Sequence, residues 1–325
     1  MEGRFDDLLQ VTPEGLYCPA AGLYVDPHRR VARAVITHGH ADHARWGHGE
    51  VLTSAAGAPL VQQRVGEKTP VQGVPYGEVL RVGGAKISLH PAGHILGSAQ
   101  VRIEVGGKVA VVTGDYKRGQ DPTCAPFEPQ RCHLLVTETT FGLPVYRWPD
   151  AEAEAARIDA WWAANQARGE NSLLLGYSLG KAQRLLAMLN PERGPILIHG
   201  AVVPFQRHYR EAGVALPDAD HVNQERLKAV RGRAMIVAPP SVVNTPWARK
   251  LKPVRIAMAS GWMLLRGRRR RDGYDEGFVV SDHVDWPELL QTVADCQPEA
   301  LWATHGQREA VAGFFAEKGL QTRVV

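Results

Sequence analysis

The hexapeptide His38-Gly39-His40-Ala41-Asp42-His43 packs four metal-ligand side chains into six residues, and the chain later offers His94, Asp115 and His305. Imidazole and carboxylate together suit zinc and neighbouring divalent ions, and a catalytic site made from them keeps one coordination position open for water. These seven side chains are a ligand inventory for two metal ions, which points to a hydrolase. On a regular strand His38, His40 and Asp42 would share a face, whereas His43 joins them only if the chain turns. The hexapeptide is therefore expected as a loop leaving a strand. Ala34-Val35-Ile36-Thr37, apolar and β-branched, reads as that strand.

The pattern recurs. Lys108–Thr113 runs into Gly114-Asp115, Leu134–Thr137 into Glu138, and Ala300–Thr304 into His305-Gly306. Each reads as a buried strand that delivers one polar residue at its tip. His94 sits in Ala92-Gly93-His94-Ile95-Leu96-Gly97, where glycines let the backbone pass close to a crowded centre. A lone histidine is more often a core or surface residue, but several tips of one pattern point to convergence on a single site. His28, His48, His90, His133, His208 and His221 lack that context. His199, between Pro195–Ile198 and Gly200, imitates a strand tip and is a candidate substrate contact, although a hydrogen-bonded core histidine is the commoner meaning.

At 325 residues the chain is long enough for one large domain or two ordinary ones. The net charge of +4 and isoelectric point near 8.9 permit an acidic partner without requiring one. Cys18, Cys124, Cys132 and Cys296 show no C-x-x-C spacing, so reduced thiols are expected rather than thiolate zinc sites or disulfides. No positively charged start leads into an apolar core, and no apolar run reaches the ~18 residues of a membrane span. A soluble, cytoplasmic protein without membrane contact is the expectation.

A second domain enters after Gly142. Residues 143–149 read as a linker, and Asp150 then caps a helix with Glu152 and Glu154 in its first turn, ending near Gly169. Strand-like and helix-like segments alternate from Ser172 to Ala259, which is an α/β pattern with parallel strands. Because His283 and His305 follow this insert while the other ligands precede it, the metal domain is expected as 1–145 and 278–325, interrupted by a lid over 146–277. At the helix start Ser178-Leu179-Gly180-Lys181, backbone N–H groups and the Lys181 ammonium would suit a phosphate. Arg266 and Arg268, Arg269, Arg270 and Arg271 would bind a nucleic-acid backbone by counterion release. Trp161-Trp162 reads as one core face and its rim.

HGHADH, followed by AGHILG, TGDY and a late THG, resembles the metallo-β-lactamase fold, in which two mixed sheets lie between helices. The resemblance implies His38, His40 and His94 as ligands of one metal, Asp42, His43 and His305 as ligands of the other, and Asp115 as their bridge. Thr137–Gly142, Tyr177–Gln183 and Ser281–Asp285 are similar to the motifs of the β-CASP nucleases, which process RNA or DNA ends, with Glu138, His283 and His305 on that group's diagnostic positions. The stretches Leu16–Pro19 and Tyr24–Pro27 resemble a bacterial subgroup of ligase-associated DNA exonucleases. The implied architecture is an α/β protein: an αββα sandwich carrying an inserted α/β β-CASP domain.

The implied chemistry is phosphodiester hydrolysis with two divalent ions, zinc first by histidine count and manganese second. His283 resembles the general acid for the leaving sugar alkoxide; Glu138 would orient it and raise its pKa, and Asp42 would orient the water. Histidine at 305 is the RNA-branch residue, where the eukaryotic DNA-repair branch has valine. The N-terminal stretch and the absence of an appended RNA-binding domain favour DNA, so the leading expectation is a 5′-to-3′ single-strand DNA exonuclease of bacterial repair that prefers a 5′-phosphate. An ATP-dependent DNA ligase and a helicase are its expected pathway partners. The alternatives are an RNA-processing β-CASP ribonuclease, an inactive nucleic-acid-binding homologue and a small-molecule hydrolase. The complete ligand set argues against the inactive homologue, and the motifs of the insert against the small-molecule enzyme.

Overall fold

Strands covered on both faces organise the chain, and a computed structural model describes residues 4–230, 232–265 and 273–325. They fall into two units, one running up to Arg147 and resuming over His283–Val325, the other spanning Trp148–Asp282. The first unit opens with a sheet of β1 (Gln10–Thr12), β2 (Gly15–Cys18), β3 (Leu23–Val25), β4 (Arg33–Val35), β5 (Glu50–Ser54) and, after helix α1 (Ala58–Val65), β6 (Val71–Val74), arranged in that order. β1 to β3 pair antiparallel and β3 to β6 parallel. The next strands, β7 (Val79–Val82), β8 (Ala85–Pro91), β9 (Ala99–Val105), β10 (Lys108–Val112) and β11 (Leu134–Thr139), start a second sheet.

In the second unit Asp150 does cap a helix, accepting from the Ala153 amide at the start of α2 (Ala151–Ala167). β12 (Asn171–Leu175), α3 (Lys181–Met188), β13 (Ile196–Ile198), α4 (Val203–Glu211), β14 (Asp220–His221), α5 (Gln224–Val230), β15 (Met235–Ala238), α6 (Pro246–Arg249), β16 (Val254–Ala259) and β17 (Glu276–Phe278) follow. All pairings in the sheet β14-β13-β15-β12-β16-β17 are parallel. Such a sheet must be covered on both sides, which is why β13 and β15 are continuously apolar and β12 is buried along its whole length. Leu174, Met235, Val237 and Ala257 pack with Ile158 and Trp162 of α2 and Leu185 and Leu186 of α3. Leu173, Leu175, Ile236 and Met258 face Val230 and Leu251 on the opposite side. Trp162 is core and Trp161 its rim.

The chain then returns to the first unit with α7 (Trp286–Cys296), β18 (Ala300–Gly306), α8 (Arg308–Glu317) and β19 (Gln321–Val324), completing the sheet β19-β18-β11-β10-β9-β8-β7. Alternation along three neighbouring strands then sorts the core, because successive side chains point to opposite faces. Ala110, Val112, Leu134, Val136, Ala300 and Trp302 face Cys18, Leu23, Val25 and Val35 of the first sheet. Val109, Val111, Leu135, Leu301 and Ala303 face Leu289 and Val293 of α7 and Val311 and Phe315 of α8. Helix α1 covers the outer face of the first sheet through Val61 and Val65. The unit is thus layered helix, sheet, sheet, helix. The strands expected from the sequence are present as β4, β10, β11, β12, β13, β15, β16 and β18, whereas β1 to β3, β5 to β9, β14, β17 and β19 were not expected.

No disulfide joins any of the four cysteines. Among the described residues no helix is long and apolar enough to cross a membrane. Leu135 is fully buried between β10, β18 and the outer helices. Truncating it leaves a cavity that close-packed neighbours fill only partly. Leu135→Ala is therefore expected to lower stability by about 2–5 kcal/mol in urea unfolding; a loss well under 1 kcal/mol would show that this layer is not packed as described.

Candidate metal centre

Strand direction gathers the site. β10, β11 and β18 run parallel, and β8 is antiparallel to β9, which is antiparallel to β10, so β8, β10, β11 and β18 all end at one edge. His94 follows β8, Asp115 follows β10, and Glu138 and His305 lie near the ends of β11 and β18. From the first sheet, β4 leads into His38. The amides of His43 and Ala44 then donate to the His40 carbonyl at 3.2 and 2.7 Å, and this turn brings His43 round to its neighbours. Gly93 has φ of +74°, and a Cβ there would stand 2.2 Å from the Lys117 carbonyl oxygen, so the close approach read from the flanking glycines is real at this position. Between β11 and β18 the register steps from Glu138 opposite Thr304 to Thr139 opposite Gly306. His305 is the extra residue of that bulge, with φ of +54°.

One ligand atom from each of His38, His40, His94 and Asp115 lies within 4.8 Å of the others. His40 Nδ1 is 3.0 Å from His38 Nε2 and 3.1 Å from His94 Nε2, and Asp115 Oδ2 is 3.7 and 3.8 Å from the same two. Ligands around a tetrahedral zinc stand roughly 3.3 Å apart, given bonds of about 2.0–2.1 Å. The donor set therefore fits one divalent ion. Asp115 Oδ2 is also 3.4 Å from His43 Nε2, which in turn is 3.8 Å from Asp42 Oδ2. The His43 and His305 rings are 5.5 Å apart. Asp115 thus adjoins both sets of residues, and the second set is the more open, because Asp42 and His305 are exposed.

One residue at this site went unassigned by sequence reading. Asp26 accepts from the Thr37 amide at 2.8 Å and from the Thr37 hydroxyl at 2.6 Å, and its Oδ2 is 2.7 Å from His43 Nδ1. A carboxylate on one ring nitrogen fixes the tautomer and turns the other nitrogen to the centre. The sequence offered only an aspartate before a proline as a signal. Burial, reinforced by the neighbouring imidazoles, pushes His38 well below the usual histidine range, so it stays in the neutral form that binds metals. Burial also disfavours the charged form of His43, but Asp115 and Asp26 outweigh it and raise the group well above that range. Asp115, against its own burial, is held well below the carboxylate range by His43. A divalent ion at this position would displace the His43 proton.

Beside the ligands stands a different pair. Glu138 is fully buried; its Oε1 accepts from the Tyr116 amide at 2.8 Å, Oε2 accepts from the Thr140 hydroxyl, and both oxygens lie 2.9–3.0 Å from His283 Nδ1. The His283 ring is 4.8 Å from that of His94. Asp115, Glu138 and His283 could themselves hold an ion, but Glu138 is already committed to three donors.

The remaining expected residues fare differently. Lys181 is 5% exposed, with its Nζ 2.9 Å from Asp282 Oδ1 and 2.7 Å from the Val280 carbonyl oxygen. In the structure Lys181 is thus an internal counter-ion of Asp282, since a buried ammonium needs a fixed carboxylate. The Gly180 amide, also expected to meet phosphate, donates to Gln183 Oε1 at 2.8 Å, and the Ser178 carbonyl accepts from Gln183 Nε2 at 3.2 Å. Arg266 and Arg268 to Arg271 lie outside the described residues. His199 Nδ1 accepts from the Ala201 amide and its ring packs on Trp247, a structural role. His48, His90 and His133 are likewise bonded away from the cluster, to Val31, Ser88 and Val109.

Comparison with known proteins adds relatives. No family model matches the chain. The chain is similar to the protein called Probable DNA ligase in Opitutus terrae, with 32% identity over 309 residues, 94% of this chain and 30% of that protein. It is also similar to Endoribonuclease YSH1 of Yarrowia lipolytica, with 33% identity over 122 residues, 37% of this chain and 14% of that protein. The chain thus spans under a third of either relative. A crystal structure of a protein of unknown function from Enterococcus faecalis shares the fold, with a TM-score of 0.61 at 13% identity over 90% of this chain and 79% of that one.

His40→Ala or Asp115→Ala is expected to remove bound metal, measured by elemental analysis after dialysis against zinc or manganese. Asp26→Asn should keep every ligand yet weaken metal affinity by about 10–100-fold, the usual effect of losing such a hydrogen-bond partner. Unchanged affinity in Asp26→Asn would mean that His43 needs no orienting carboxylate.

Proposed function

We propose that this chain is a metallo-β-lactamase-type, β-CASP nuclease that degrades DNA, acting 5′ to 3′ on single strands in bacterial repair. The observation that carries the reading is the position of Asp115, between the His38, His40 and His94 group and His43, with the Glu138–His283 pair beside it. Two divalent ions, zinc before manganese, would lower the pKa of a water and hold phosphate oxygens. Asp26 keeps His43 turned inward through its Nδ1. Glu138 holds His283 at Nδ1, so Nε2 is the atom that passes a proton to the departing sugar oxygen. Neither step needs Lys181.

DNA is supported by extent of similarity: a relative named for joining DNA matches 94% of this chain, whereas the endoribonuclease matches 37%. A nuclease that trims ends and a ligase that seals them share a substrate, and an ATP-dependent DNA ligase and a helicase are the proposed partners. RNA is the second reading, favoured by His305 and by the YSH1 similarity.

End-labelled single-stranded DNA and RNA of one sequence, each with a 5′-phosphate or a 5′-hydroxyl, are digested in parallel with zinc or manganese. Faster loss of 5′-phosphorylated DNA, shortening from its 5′ end, is expected; faster loss of RNA, or ladders receding from the 3′ end, would overturn the substrate or the polarity. His283→Ala should keep its metal while turnover falls by ~10² or more, the usual worth of positioned proton transfer. Glu138→Gln should follow it less severely. Wild-type turnover in His283→Ala would remove that residue from the mechanism.

A further inference from the structure

The turn that supplies Asp42 and His43 ends in an aromatic side chain that the mechanism does not use. Trp46 is 65% exposed, the most exposed of the large hydrophobic residues in the described chain. One of its faces is occupied: the Arg30 guanidinium carbon sits 4.2 Å from the ring centroid, a cation–π contact. Gly47 makes the room, for with φ of +95° it carries no side chain, and a Cβ there would be 2.7 Å from Arg30 Nε and 3.0 Å from Arg30 Cδ.

The platform is tied to the metal-site turn. Arg45 donates from Nε to the Asp42 carbonyl at 3.1 Å and from Nη1 to the His28 carbonyl at 3.2 Å, while the Val31 amide donates to His48 Nδ1 at 3.3 Å. Arg29, Arg30 and Arg45 are all exposed, and among the described residues no carboxylate pairs with them. An exposed indole with the Arg30 guanidinium on one face, on a turn that also carries the exposed Arg45, fits a strand whose backbone is anionic and whose bases have π-faces.

We infer that Trp46, backed by Arg30, stacks a nucleobase of single-stranded nucleic acid beside the turn that carries Asp42 and His43. The inference rests on the nuclease reading for the identity of the ligand. Stacking of this kind is sequence-tolerant, because every base offers a flat face, and it distinguishes a strand with free bases from a duplex whose bases are already stacked. Arg30 preorganises the indole and Arg45 holds the turn.

The test uses the full chain in a chelator, where no cleavage occurs, and reads the Kd of a labelled single-stranded oligonucleotide by fluorescence anisotropy. Trp46→Ala is expected to weaken binding about tenfold, Trp46→Phe to restore most of it, and both to keep wild-type thermal unfolding and metal content. Oligonucleotides with an abasic site at successive positions supply a second reading: one position should weaken wild-type binding by a similar factor and leave Trp46→Ala indifferent. Equal Kd for wild type and Trp46→Ala, or an abasic penalty of the same size in both, would overturn the platform. Loss of self-association as the variant's only phenotype would overturn it as well, assigning Trp46 to a protein contact. Tight, Trp46-dependent binding without cleavage once metal is restored would instead defeat the nuclease reading and leave the platform standing.

Discussion

A buried carboxylate needs compensation, and at Asp115 that requirement organises the whole centre. Its Oδ2 is within 3.8 Å of three imidazoles, those of His38, His43 and His94, supplied by both sheets of the first unit. Removing a charge from water is expensive unless opposite charge or donors replace the solvent. Here His43 lies between Asp115 and Asp26, which favour its charged form, so two carboxylates adjoin one imidazole. A divalent ion would supply that compensation with a closer, fixed charge. The geometry that makes the buried carboxylate tolerable therefore also suits a metal.

Two strategies for handling charge coexist. At the edge of the first unit, Asp42 and His305 stay open to solvent, and Asp115 and His43 can exchange a proton for a metal. In the second unit Lys181 and Arg184 are buried against Asp282, with further bonds to the carbonyls of Val280 and Ser281. These three charges are satisfied by one another and by backbone, and they pin the segment that precedes His283. Within the second unit, Lys181 of the Tyr177–Gln183 motif is thus held by Asp282.

Legibility followed period and punctuation. The strands ending at Asp115, Glu138 and His305 were readable because a continuous apolar run that stops abruptly at a polar residue fits little besides a buried strand and its tip. The helix capped by Asp150 was readable from its first turn. The hairpin strands β1 to β3 were hidden by their shortness and by partial burial of their side chains, which leaves no clean alternation to detect. Asp26 was hidden for another reason: its partners, Thr37 and His43, lie 11 and 17 residues away, and one aspartate before a proline looks like any turn.

By itself the sequence determined the inventory: which side chains can ligate, that strands must deliver them, and that the His38–His43 segment must turn for His43 to take part. These follow from local chemistry, since ligand type and backbone periodicity are properties of neighbouring residues. Only the tertiary structure decided allocation. It put Asp115 between two groups of imidazoles, gave Asp26 the task of orienting His43, tied Lys181 to Asp282 instead of exposing it, and left Trp46 uncovered beside the site. Burial and long-range pairing set those outcomes, because a charged or aromatic side chain takes its role from what surrounds it in space, which no stretch of neighbouring residues specifies.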